Sequence, residues 1–129
     1  MSDATPRVTG VGGVFLKAKD PKALQEWYRD QLGVPVQSWG GAAFDWKDDP
    51  GGTTAWSLFP LTSKKFDPSP ASFMVNYRVN DLHGLLARLR AANCQVMEQV
   101  DESEYGKFGW VVDPEGNKVE LWEPPVGGS

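Results

Sequence analysis

The chain has one cysteine, Cys94, and one histidine, His83. A single cysteine excludes an internal disulfide, and a reducing cytoplasm is the expected location. A single histidine leaves little from which to build an imidazole metal centre. No apolar run approaches the length of a membrane span, and Met1–Arg7 carries no apolar signal core. There is no excess of positive charge: the formal net charge is -4, which gives no support for nucleic-acid binding and weakly favours cationic ligands. Gly51-Gly52 is followed by neither a GKS/T nor a GxGxxG spacing, so no phosphate loop is present. What the chain does have is tryptophan. Six in 129 residues exceed what a core of this size needs, and large amphipathic rings also line ligand pockets.

The ordered pattern begins near Gly12. Val14, Leu16 and Ala18 alternate with Gly13, Phe15 and Lys17, the signature of a half-buried strand. Asp20-Pro21 opens a helix as N-cap and first helical residue, and Gly33 closes it in the left-handed conformation. Leu24, Trp27, Tyr28 and Leu32 form its apolar stripe. Three further strands are expected over 34–39, 42–47 and 53–59. A linker over 61–72, with prolines and no periodicity, follows. Phe73 to Val79 alternates again, and Asp81 caps a helix with a Leu82, Leu85, Leu86 and Leu89 stripe that ends at Asn93. Strands are expected over 95–100, 107–112 and 118–122, with an acidic loop over 101–106. Asp113-Pro114 opens the last turn, and Gly116-Asn117 supplies its positive backbone angles. The ends, 1–9 and 124–129, read as loose.

The two halves repeat. Val14–Asp20 matches Val75–Asp81 at an offset of 61, and Phe44-Asp45-Trp46 matches Phe108-Gly109-Trp110 at an offset of 64. The second alignment runs without a gap through Asp49-Pro50/Asp113-Pro114 to Trp56/Glu120. Residues 10–124 are therefore read as one domain of two βαβββ modules, 10–60 and 73–124. The apolar face of Val14/Leu16/Ala18, Val75/Tyr77/Val79 and Val119/Leu121 suits the side under the helices. There each large side chain buried contributes roughly 1.5–3 kcal/mol. The opposite face mixes Phe15, Lys17, Trp56, Met74, Asn76, Arg78, Lys118, Glu120 and Trp122, the composition of a ligand site.

The chain resembles the vicinal oxygen chelate superfamily of glyoxalase I, bleomycin-resistance proteins and extradiol dioxygenases. The resemblance covers about Gly10 to Pro124. It rests on Lys17-Ala18-Lys19-Asp20-Pro21, Trp27-Tyr28, Leu32-Gly33, Gly106–Trp110 and Asp113–Trp122. It implies an α+β fold: a curled mixed sheet forming an open cup, with helices outside. It also implies a homodimer, for which exposed sheet edges such as 34–39 give a physical motive. In chelating members, up to four ligands converge on the cup floor, from the first and last strand of each module. Those positions here are Gly13, Trp56, Met74 and Glu120. Only Glu120 suits a hard or borderline divalent ion; Met74 offers a soft thioether. The expectation is the fold without the metal and without another cofactor.

Glu120 has three readings: an ion pair with Arg78, Lys17 or Lys118, a general base, or an anchor for a cationic guest. Arg78 could instead clamp a ligand carboxylate, and Trp56 and Trp122 could stack on a planar ligand. Phe15 and Met74 read as lining. Cys94 reads as a small buried hydrophobe with no activating neighbour. Two functional classes follow. One is a metal-free small-molecule binder of the bleomycin-resistance kind, taking a planar or cationic compound. The other is a lyase, isomerase or dioxygenase, metal-dependent or using Glu120 as base. The sequence does not decide whether the protein is an enzyme.

Overall fold

The computed structural model describes residues 5–126; of the expected loose ends, 1–4 and 127–129 lie outside that range. Helix α1, Pro21–Leu32, starts where the Asp20 carboxylate accepts from Ala23 N–H at 3.1 Å. It ends at Gly33, whose φ of 72° lets its N–H reach back to the Arg29 carbonyl at 3.2 Å. Helix α2, Leu82–Ala91, repeats the device: Asp81 caps Gly84 N–H at 3.0 Å, and Asn93 takes the left-handed φ of 61° just beyond.

Five strands form one open mixed sheet: β1 (Val75–Arg78), β2 (Gln95–Val96), β3 (Asp101–Ser103), β4 (Gly106–Val112) and β5 (Lys118–Glu123). The order is β1-β5-β4-β2, with β3 also paired to β4; β1 and β5 run parallel and the other pairs antiparallel. Alternation assigns the two faces as expected. Val111, Val119 and Leu121 join Leu82, Leu86 and Leu89 of α2, and Leu24 and Tyr28 of α1, in one core. Gly109 lies directly under α2; a Cβ there would stand 3.0 Å from Leu86 Cδ1, so glycine permits the close approach. Cys94 is half-buried against this core, and His83 is exposed on α2, 3.0 Å from Glu102.

The first half departs from the sequence reading. Its helix forms, but none of the four strands expected over 13–18, 34–39, 42–47 and 53–59 has a ladder. Trp46–Asp48 is a turn of 3-10 helix, and a turn bond from Gln37 N–H to the Gly41 carbonyl at 2.7 Å is the residue of an expected hairpin. Alternation fixes which side chains share a face; it does not supply an edge to pair with. In the second half, the strand expected over 95–100 shortens to Gln95–Val96, and the expected acidic loop contributes β3. Of the expected positive angles in the last turn, Gly116 has one, at 87°, and Asn117 does not. No helix among the described residues is long and apolar enough to cross a membrane.

That last turn is fastened from within. Asp113 is only 4% exposed. Its Oδ1 accepts from the N–H groups of Glu115 (2.8 Å) and Asn117 (3.0 Å), and its Oδ2 from the Tyr28 hydroxyl (2.7 Å) and Asn117 Nδ2 (3.0 Å). Burial, and then the bond to Asp113, push the Tyr28 phenol far above its ordinary value of 10.0. Burial and the Asp113 charge raise Tyr77 as well. Tyr28→Phe should cost roughly 1.5–3 kcal/mol, the range for a hydrogen bond to a charged group. Asp113→Ala should cost more, because it strands several buried donors at once; urea denaturation measures both. The phenols also set a pH dependence. The unfolded chain releases their protons above about pH 10 while the folded chain keeps them, so stability falls as pH rises past 10. Tyr28→Phe should flatten that fall in denaturation curves taken between about pH 9 and 11.

Candidate ligand-binding site

The face turned away from the helices is built on β5, flanked by two strands. Register places Trp110 of β4 and Asn76 of β1 on either side of Glu120, and Phe108 and Arg78 on either side of Trp122. The sequence reading included every one of these except Trp110 and Phe108. Both were accessible from the pattern: a hairpin that pairs Val112 with Lys118 must pair Trp110 with Glu120 and Phe108 with Trp122.

The half-buried Glu120 carboxylate is held by two neutral donors. Asn76 Nδ2 donates to Oε1 at 2.7 Å, and Trp110 Nε1 donates to Oε2 at 3.0 Å. The ion pairs expected for it do not form. Arg78 is paired with Asp49 and donates from Nη1 to the Thr53 carbonyl at 2.9 Å. Lys118 donates to the Lys65 carbonyl at 2.8 Å, with its Nζ 5.6 Å from the centre of the Trp110 ring. Lys17 is exposed and pairs with no acid among the described residues. A tertiary neighbour took the guanidinium: Asp49 lies in a turn that reaches the end of β1, a contact across 29 positions of sequence that no local pattern announces.

Beyond Glu120 the face becomes aromatic. Trp122 stacks on Phe108 with ring centres 6.2 Å apart and planes 14° from parallel. Its indole N–H donates to the Tyr105 carbonyl at 2.8 Å, tying the β3–β4 turn to this face. First-half residues frame the site: the Asp49–Thr53 turn at the Arg78 end and the linker, through Lys65, at the Lys118 end. Met74 is half-buried just before β1. Phe15 and Trp56 are exposed on unpaired segments, and no hydrogen bond or ring contact ties them to Glu120. A cleft of about 690 Å³ lies elsewhere, between the end of α1 and the start of α2. Its two guanidinium groups are already engaged, Arg78 with Asp49 and Arg88 with the Gln31 carbonyl at 2.6 Å.

The residues present do not fit a divalent metal centre. Among the described residues no three of His, Cys, Asp and Glu are grouped to hold an ion. The one carboxylate at the expected position already receives two N–H groups, and zinc sites take at least three protein ligands.

With this geometry in place, comparison with known proteins is informative about the fold. No curated protein matches the chain in sequence. A glyoxalase-related enzyme from Fulvimarina pelagi superposes with a TM-score of 0.56 at 21% identity, over 92% of this chain and 91% of that one. Lactoylglutathione lyase from Agrobacterium tumefaciens gives 0.56 at 18% identity, over 96% and 100%. TnmS3, an antibiotic binding protein from Streptomyces sp. CB03234, gives 0.52 at 21% identity, over 82% and 88%. Two other matched structures are spanned over only 47% and 54% of their own length. Residues 13–122 match the family model of the glyoxalase-like domain, and the chain belongs to that family.

Proposed function

We propose that this protein binds a planar, cation-bearing small molecule on the open face of its sheet, without a metal ion. The observation that carries this reading is Glu120, a half-buried carboxylate oriented by two neutral donors and paired with no cation among the described residues. An ionised carboxylate has about four acceptor positions, so two hydrogen bonds leave capacity for a guest. The fixed donors also reduce the ordering cost of binding. The aromatic surface of Trp110, Trp122 and Phe108 beside it suits a flat ring system, and a positive charge over an indole adds about 0.5–2 kcal/mol. Among similar structures, TnmS3 is described as an antibiotic binding protein and another as a lactoylglutathione lyase, so the neighbours accommodate a binding role and the choice rests on the residues. The described residues offer no grouped donor set for a metal ion, which counts against the metal-dependent alternative.

The charge requirement separates this reading from simple hydrophobic adhesion. Calorimetry should show 9-aminoacridine, cationic at neutral pH, binding at least about tenfold more tightly than neutral acridone, a difference of about 1.4 kcal/mol. Glu120→Gln should abolish that preference and leave acridone affinity unchanged. Equal affinity for the two compounds in the wild type would overturn the reading.

The metal question has its own measurement. Thermal unfolding should be unchanged by chelator and by added Ni, Zn, Mn or Fe. A one-to-one ion that raises the midpoint, and is lost in Glu120→Gln, would contradict the donor-set argument.

A further inference from the structure

We infer that Lys118 is a resident cation of the candidate site: it occupies the face of Trp110, and a cationic guest binds by displacing it, which frees the linker that it holds. The inference rests on the reading of Glu120 as the anchor for such a guest.

Trp110 touches two opposite charges. Its Nε1 donates to Glu120 Oε2 at 3.0 Å, and the Lys118 ammonium lies 5.6 Å from the ring centre. That separation is within the roughly 6 Å over which the negative face of an aromatic ring attracts an ammonium. Lys118 and Glu120 are two residues apart on β5, so alternation puts both on the open face. They form no ion pair with each other. Glu120 accepts from Asn76 and Trp110, and no acid pairs with Lys118 among the described residues. The site therefore already holds one positive charge of its own beside the carboxylate.

The partners of that charge decide whether it can leave. Lys118 is half-buried, and its Nζ donates to the Lys65 carbonyl at 2.8 Å. Its two partners, a ring face and a peptide carbonyl, are both neutral, so moving the ammonium into water breaks no ion pair. The flexible four-carbon stem lets it swing out while β5 stays in place. A guest cation entering over Trp110 meets Lys118 first, as a like charge and as a competitor for the same ring face.

The carbonyl gives the displacement a consequence. Lys65 belongs to the linker over 61–72, and the neighbouring hydrogen bonds there are local. Lys65 N–H donates to Ser63 Oγ at 3.2 Å, Asp67 N–H to the Lys64 carbonyl at 3.1 Å, and Ser69 N–H to the Phe66 carbonyl at 2.9 Å. Among the described residues, the Lys118 bond is the hydrogen bond that ties this linker to the sheet. Its loss leaves packing, of Phe66 on Phe59 and of the buried Ser69, to hold the strap. Entry of a cation and release of the linker are thus one event.

Two variants and two measurements test this. Lys118→Met keeps an unbranched stem and removes the charge; Lys118→Arg keeps the charge. In calorimetry, Lys118→Met should widen the preference for 9-aminoacridine over acridone at least about threefold, and Lys118→Arg should leave it within about twofold of the wild type. In hydrogen exchange, saturating 9-aminoacridine should make the Asp67 and Ser69 amides of the wild type exchange at least about fivefold faster, and Lys118→Met should show that loss without ligand. Should Lys118→Met fold poorly, the ligand-induced exchange in the wild type decides. Equal binding of the two compounds by the wild type would sink the charge reading and this inference with it. A wild-type preference that Lys118→Met leaves unchanged or narrows overturns this inference alone, as do linker amides that the bound cation does not affect.

Discussion

A carboxylate with almost no access to water sits at the junction of the two halves. Unpaired, such a charge would cost several kcal/mol; Asp113 is tolerated because both its oxygens are saturated by donors. Three of those donors belong to the turn it opens, so the charge folds the turn around itself. The fourth, the Tyr28 hydroxyl, belongs to α1. One ionised group therefore fixes the β4–β5 hairpin and docks the first-half helix on it. Register follows from the turn, and the site follows from register. A slip of one residue would send Glu120 toward the helices and bring Val119 or Leu121 to the ligand face.

The same hairpin holds both helix starts. Glu115, in the turn, accepts the backbone N–H groups at the entry to α1, and Glu123, at the end of β5, accepts Leu82 N–H at 2.8 Å at the entry to α2. Helix N-termini carry unmet donors and partial positive charge, so a carboxylate is the natural tether for each. Two acids, two and ten residues beyond the buried one, thus orient the layer that covers the apolar face. The short stretch from Asp113 to Glu123 organises the turn, the core, both helix entries and the open face.

How much of this the sequence reveals depends on distance along the chain. Caps, helix ends and the two faces of the second-half strands are local properties, and Asp20, Gly33, Asp81 and Asn93 behave as their chemistry dictates. The central place of Glu120 was also readable, because alternation and the hairpin turn set it. Its company was not. The Arg78–Asp49 pair and the Tyr28–Asp113 bond join segments whose proximity only the tertiary fold decides. Tyr28 reads as one more apolar-stripe residue until a buried acceptor is found at its tip. The first-half strands fail for a related reason. The alternation over 13–18 is as regular as that of β1, but a strand is a relation between two segments, and the second segment is not local.

The repeat turns this difference into a statement about chemistry. Trp46 and Trp56 stand where Trp110 and Glu120 stand in the second half. In the second half the indole N–H at 110 meets the carboxylate at 120, and with Asn76 it satisfies that acid without any cation. A carboxylate satisfied by a guanidinium would be neutralised and closed to a cationic guest. One satisfied by neutral donors keeps its charge and stays aimed. In the first half the partner acid is replaced by a second ring, so that half has aromatic surface to offer and no charge to place. The asymmetry fits a face where one strand pair supplies a fixed negative point and the surrounding rings supply area. The proposed binding of a flat cation would use both, whereas chelation would need more donors.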